Sequence, residues 1–95
     1  MCGCYVIFSK KLNRFYVGAT QDDLSTRIEH HNQAMYDKNR FTALANDWEL
    51  FLFIPANGYP HAIRMERKIK AMKSSVYIRN LCKYPELLQK LVSST

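Results

Sequence analysis

No apolar stretch in this sequence approaches the ~20 residues of a membrane-spanning helix. The longest early apolar run is Cys4 to Phe8, with no basic segment before it, so neither a membrane anchor nor a signal peptide is expected. Cysteine is scarce and odd in number, with Cys2, Cys4 and Cys82. An odd count in a small basic chain argues against a secreted disulfide scaffold. A Cys-x-Cys pair with one distant partner also lacks the paired C-x-x-C spacing of a structural zinc site. The thiols are therefore expected to be reduced and structural, in a soluble intracellular protein (cytoplasmic, or nuclear in a eukaryotic or viral setting). Repeats, low-complexity tracts and linkers are absent too, and residues 1–95 read as a single domain.

What is present excludes disorder: 47% of residues are hydrophobic and 13% aromatic. A chain of 95 residues supports one core of a few strands and helices. The charge is uneven. Lys and Arg number 14 against 8 acids, giving +6. Between His61 and Lys83 lie Arg64, Arg67, Lys68, Lys70, Lys73, Arg79 and Lys83 against the single acid Glu66, so this segment holds the whole +6. Concentrated basic charge is the footprint of a polyanion partner, usually nucleic acid. A solvated helix face, or a surface for an acidic protein, would give the same count.

Tyr5 to Phe8 and Phe15 to Val17 are short β-prone runs, read as a hairpin closed by Lys10-Lys11-Leu12-Asn13, with Gly18 ending the second strand. Thr20-Gln21-Asp22-Asp23 has capping-box spacing and opens a helix whose apolar face is Leu24, Ile28, His31 and Met35. Residues 36–47 read as a loop with a helical turn around Phe41 to Ala45. Trp48 to Ile54 is the most apolar run and reads as the central strand, with Trp48 in the core. After a turn at Asn57-Gly58, a second helix buries Ala62, Met65, Ile69 and Met72. A short helix over 76–82 follows, then one opened by Pro85 whose Leu87, Leu88, Leu91 and Val92 dock on the body. The order β-β-α-β-α-α predicts an α+β domain: a small, mainly antiparallel three-stranded sheet flanked by helices.

Two tripeptides, Gly3-Cys4-Tyr5 and Tyr16-Val17-Gly18, put tyrosines on both strands of the hairpin. Arg27 and His31 follow, four apart and so neighbours on one helix edge, then Asn32, and Glu66 within the basic helix. This ordered set resembles the GIY-YIG nuclease family, and within it the small stand-alone URI-domain members. The resemblance takes in Phe41-Thr42, Trp48-Glu49-Leu50 and Ala62 to Ser74 as well. Cys4 departs from the pattern, standing where the family carries an aliphatic residue. The Tyr16-to-Arg27 interval is also one residue longer than is common.

The resemblance implies an endonuclease that hydrolyses phosphodiester bonds in DNA with one divalent cation, Mg²⁺ or Mn²⁺. By that likeness Tyr5 contacts or deprotonates the attacking water and Tyr16 helps position it. Arg27 holds the scissile phosphate through its planar donor fork, and His31 assists the proton relay or contacts phosphate. Glu66 supplies the protein oxygen to a water-rich metal ion, with Asn80 as a further polar residue near it. Arg64, Arg67, Lys68, Lys70 and Lys73 would meet the DNA backbone, and a partner protein could supply specificity. Each residue has a plainer reading. The tyrosines could be cross-strand packing residues, His31 a satisfied core histidine, and Arg27 an exposed helix residue. Glu66 could be the partner of Lys70 one helical turn on, and Asn32 a cap. The rival for the whole is a nucleic-acid-binding module that is inactive or partner-dependent, over which the tyrosine pair, Arg27 and Glu66 favour the enzyme.

Overall fold

The computed structural model describes residues 2–21, 23–33 and 41–95, with backbone only at 41 and 42. The elements are β1 (Gly3–Ser9), β2 (Arg14–Thr20), α1 (Leu24–Asn32), a 3-10 turn (Phe41–Leu44), β3 (Glu49–Pro55), α2 (Tyr59–Met72), α3 (Ser75–Lys83) and α4 (Pro85–Ser94). The sheet is antiparallel throughout, in the order β2-β1-β3. This is the expected α+β architecture with its expected hairpin, closed by residues 10–13 with Asn13 in the left-handed region. Asparagine tolerates that conformation better than most residues. No helix among the described residues is long and apolar enough to cross a membrane.

The centre of the sheet is β1, not the more apolar β3. Both faces of β1 are covered, and every residue but Phe8 is buried, whereas Glu49 and Leu50 of β3 are exposed. Apolar content measured total hydrophobicity, while position in the sheet follows from having a partner on each side. The sheet divides the core in two. Cys4, Val6, Val17 and Ile54 face Met65 and Ile69 of α2, Ile78 and Leu81 of α3, and Leu91 of α4. Tyr5 and Ile7 face Ala45 and the buried Trp48, with Tyr16, Leu24, Ile28 and Phe53 packed around them. Leu87, Leu88 and Val92 dock against the first cluster, as the stripe on α4 predicts.

Three local expectations give way. Gly18 does not end β2, which continues to Thr20 and pairs it with Gly3. Thr20 is consequently buried in the sheet, and the helix cap moves to Asp23, whose carboxylate accepts the Thr26 N–H at 3.0 Å. Met72 is 46% exposed, because α2 stops there and turns through Lys73 in the left-handed region into α3. Ser74 then caps α3 by accepting the Tyr77 N–H. Met35, Asp22 and residues 36–40 lie outside the described residues.

Candidate active site

Strand alternation sends Tyr5 to the α1 side of the sheet, opposite Gly18 on β2 and Phe53 on β3. A Cβ on Gly18 would lie 2.5 Å from both Cζ and the hydroxyl oxygen of Tyr5, so the phenol ring lies directly over the glycine. Gly3 serves Phe53 in the same way: a Cβ there would stand 2.5 Å from Cζ of that ring. The glycines of the two tripeptides are therefore steric requirements of a close ring approach. Neither has a positive φ.

With its ring so placed, the Tyr5 hydroxyl meets α1. It lies 2.7 Å from Nε2 of His31, and Nε–H of Arg27 donates to it at 3.4 Å. Tyr5 is 1% exposed and His31 fully buried, so this bond lies out of water, where hydrogen bonds are electrostatically strong. Arg27 and His31 are one turn apart on α1, which brings both to the same phenol. The longer interval before Arg27 does not prevent the contact. Tyr16, half-buried, packs its ring against His31 at 5.2 Å and edge-on to Trp48 at 6.4 Å. Asn32 fixes the floor: its side chain accepts the Trp48 N–H at 2.6 Å and donates to the Trp48 carbonyl at 3.0 Å. That bracket ties the end of α1 to the start of β3.

Glu66 enters from α2. Its carboxylate is paired with the Lys70 ammonium at 2.6 Å, and that ammonium also stands 5.4 Å over the Tyr16 ring. Lys70 thus links the acid to the tyrosine pair. Burial pushes the Cys4 thiol up to about 12; the charge of Glu66 adds to the rise and that of Lys70 opposes it. Cys4 is accordingly a small inert core residue, which is how it can replace an aliphatic side chain. The structure joins Tyr5 to His31 and Arg27, packs Tyr16 on His31, and links Glu66 to Tyr16 through Lys70. Asn80 is half-buried on α3, and among the described residues its side chain makes no hydrogen bond to this group.

The five basic residues on and after α2 do not share one face. All are exposed. Lys70 and Lys73 line a cavity beside β2, Lys68 lines a groove against α4, and Arg64 donates to the Thr95 carbonyl at 2.7 Å. Sequence spacing missed the double role of Lys70 and the Asn32 bracket. The first had a signal, the four-residue step from Glu66. The second had none, since it joins a side chain to backbone 16 residues away.

Among the described residues no group of three or more His, Cys, Asp or Glu could cage a metal ion. The donor set fits only an ion held by a single carboxylate, Glu66, with its remaining ligands drawn from water and substrate, as Mg²⁺ commonly is. The GIY-YIG catalytic domain model matches residues 1–79, and the chain belongs to the GIY-YIG family. Searches of curated proteins and of solved structures gave no match.

Proposed function

We propose that the protein is an endonuclease that hydrolyses phosphodiester bonds in DNA, using one Mg²⁺ or Mn²⁺ and the residues Tyr5, Tyr16, Arg27, His31 and Glu66. The observation that carries this reading is the Tyr5 hydroxyl held between Nε2 of His31 and Nε of Arg27. A free phenol, with a pKa near 10, is a poor base at neutral pH. The Arg27 guanidinium facing the phenol oxygen favours its ionised form, and Nε2 of His31, 2.7 Å away, stands where it would take the phenol proton. A proton passed from Tyr5 to His31 leaves a phenolate that takes the proton of the attacking water. Arg27 carries five N–H donors in a planar fork, one of them turned to Tyr5, and this guanidinium would grip the phosphate. Tyr16, packed on His31 and under Lys70, holds the water's side of the site. Glu66 would hold the divalent ion, which when bound supplies charge neutralisation at the phosphate.

The Glu66–Lys70 pair favours a second reading, a nucleic-acid-binding module without catalysis, because the acid already has a cation as partner. One substitution separates the two. In Glu66→Ala, loss of a helix pair should cost only about 0.2–0.5 kcal/mol of stability. Metal-free DNA binding should hold or tighten, because a negative charge has left a basic helix. Cleavage of a panel of duplex, nicked, branched and single-stranded DNA should vanish at every Mg²⁺ or Mn²⁺ concentration. A wild-type protein that binds and never cuts establishes the second reading. An active Glu66→Ala enzyme removes the metal assignment.

A further inference from the structure

Beside the active site, on the far side of Lys70, lies a cavity of about 320 Å³ between the start of β2 and the α2–α3 junction. Four cationic side chains line it, Arg14, Lys70, Lys73 and Arg79, and no acid does. The cations come from three separate segments, so the clustering is made by the fold and invisible in the sequence. Among the described residues no carboxylate lies within ion-pair distance of Arg14, Lys73 or Arg79, and Lys70 alone has one, Glu66. Arg79 is held in place with its guanidinium 5.2 Å over the Phe15 ring, whose own edge packs on Phe51. A stacked guanidinium keeps its donor fork in one plane, which suits a tetrahedral anion. Like charges gathered round one concave space repel each other until an anion enters, and the space is polar enough to take one.

We propose that this cavity seats a second backbone phosphate of the nucleic acid, distinct from the phosphate that Arg27 would grip. The inference rests on the nuclease reading above for its ligand. Lys70 supplies the continuity, since its ammonium stands over Tyr16 at the site and its side chain lines the cavity. A strand gripped at both points is anchored on one flank of the scissile bond, which fixes its register without reading its sequence.

The test is the salt dependence of duplex DNA binding, measured by fluorescence anisotropy without metal so that no cleavage enters. Losing one neutralised phosphate should lower the log-log slope by about 0.9. That drop is expected in Arg14→Gln/Arg79→Gln and not in Arg14→Lys/Arg79→Lys, which keeps the charge; thermal melts check that both fold. Lys90→Gln, which removes a cation on the α4 side, is the control and should keep the wild-type slope. An unchanged slope in the double Gln variant overturns the proposal, as does an equal drop in Lys90→Gln, which would mark a diffuse charge effect. Saturable binding of inorganic phosphate that is lost in the double Gln variant, with the DNA slope intact, would make this a free-phosphate site and also overturn it. Wild-type protein that cuts DNA while the double Gln variant keeps its slope sinks this inference alone. A lowered slope in a protein that never cuts sinks the nuclease reading alone. Wild-type protein that binds no DNA sinks both.

Discussion

On the side of β1 that carries Cys4 and Val6, the buried cluster is aliphatic or sulfur-bearing, and burial pushes the Cys4 thiol up to about 12. On the side that carries Tyr5 and Ile7, the buried set includes His31, and Ser9 and Thr20 take their places along the same alternation. The strand is the same; only the parity differs. The α2 face packs an apolar cluster against the sheet and so contributes cohesion. Its one buried polar side chain among the described residues, His61, sits at the start of α2, bonded to the Asn57 N–H and the Val92 carbonyl. The α1 face contains polar groups that satisfy each other, Tyr5 with His31 and Arg27, Ser9 with Asp47, and Asn32 with the Trp48 backbone. Such networks cost more to break than apolar contacts of equal area, because each loss strands a partner away from water. A small domain can thus separate stability from chemistry without a second layer of structure.

The largest expected effect is on the polar face. Tyr5→Phe keeps the ring over Gly18 and removes the hydroxyl, and cleavage should fall by roughly 10²–10⁴, the usual scale for an acid–base group. Stability should fall too, because the 2.7 Å bond to buried His31 is lost; about 1–3 kcal/mol is expected from a broken buried hydrogen bond. Rates are therefore compared at a temperature where circular dichroism finds both proteins folded. Near wild-type cleavage by the Phe variant would make Tyr5 a packing residue and erase the contrast between the faces.

On the apolar face the pattern should reverse. Met65 is fully buried among Cys4, Val6 and Ile69, and Met65→Ala should cost roughly 2–5 kcal/mol through lost contacts and a residual cavity. Cleavage per folded molecule, measured well below the melting point, should stay close to wild type. A rate loss of a hundredfold or more with the fold intact would mean that the two faces are mechanically coupled through β1.

Much of this division was legible before any coordinates. The β-prone runs Tyr5 to Phe8 and Phe15 to Val17 located the hairpin, and the spacing of Ala62, Met65 and Ile69 located the buried side of α2. The ordered set from Tyr5 to Glu66 located the family, because five residue types in order constrain far more than any one. What escaped was whatever depends on contact between distant segments. The most apolar run, β3, is an edge strand, since strand order follows partners and not hydropathy. Gly18 read as a strand end because glycine weakens strands, whereas here its missing side chain makes room for Tyr5. The basic segment read as one surface, yet Lys70 and Arg64 point to different flanks and Arg14 at the start of β2 completes the cavity.

The smallest expected effect sharpens the comparison at the rim of the polar face. Asp47, just before Trp48, accepts the Ser9 hydroxyl at 2.6 Å and the Lys11 N–H at 3.0 Å, and Ser9 in turn accepts the Leu12 N–H at 3.1 Å. This chain ties the hairpin turn to the segment leading into β3. The Ser9 hydroxyl first, and then the Lys11 N–H, hold the Asp47 carboxyl below the usual carboxylate range. A carboxylate depressed by folding stabilises the native state at pH above its unfolded value, near 3.9, and that contribution fades as pH falls through the lower folded value. Asp47→Asn keeps one acceptor oxygen and turns an amide N–H toward the other donor, so its melting temperature should lie below wild type at neutral pH. The gap should narrow in acid, as wild-type Asp47 takes up a proton and itself loses an acceptor. Thermal melts of both proteins between pH 7 and pH 2.5 measure this directly. A gap that stays constant across that range would show that Asp47 acts through shape alone, and that charge on the polar face matters only at the active site.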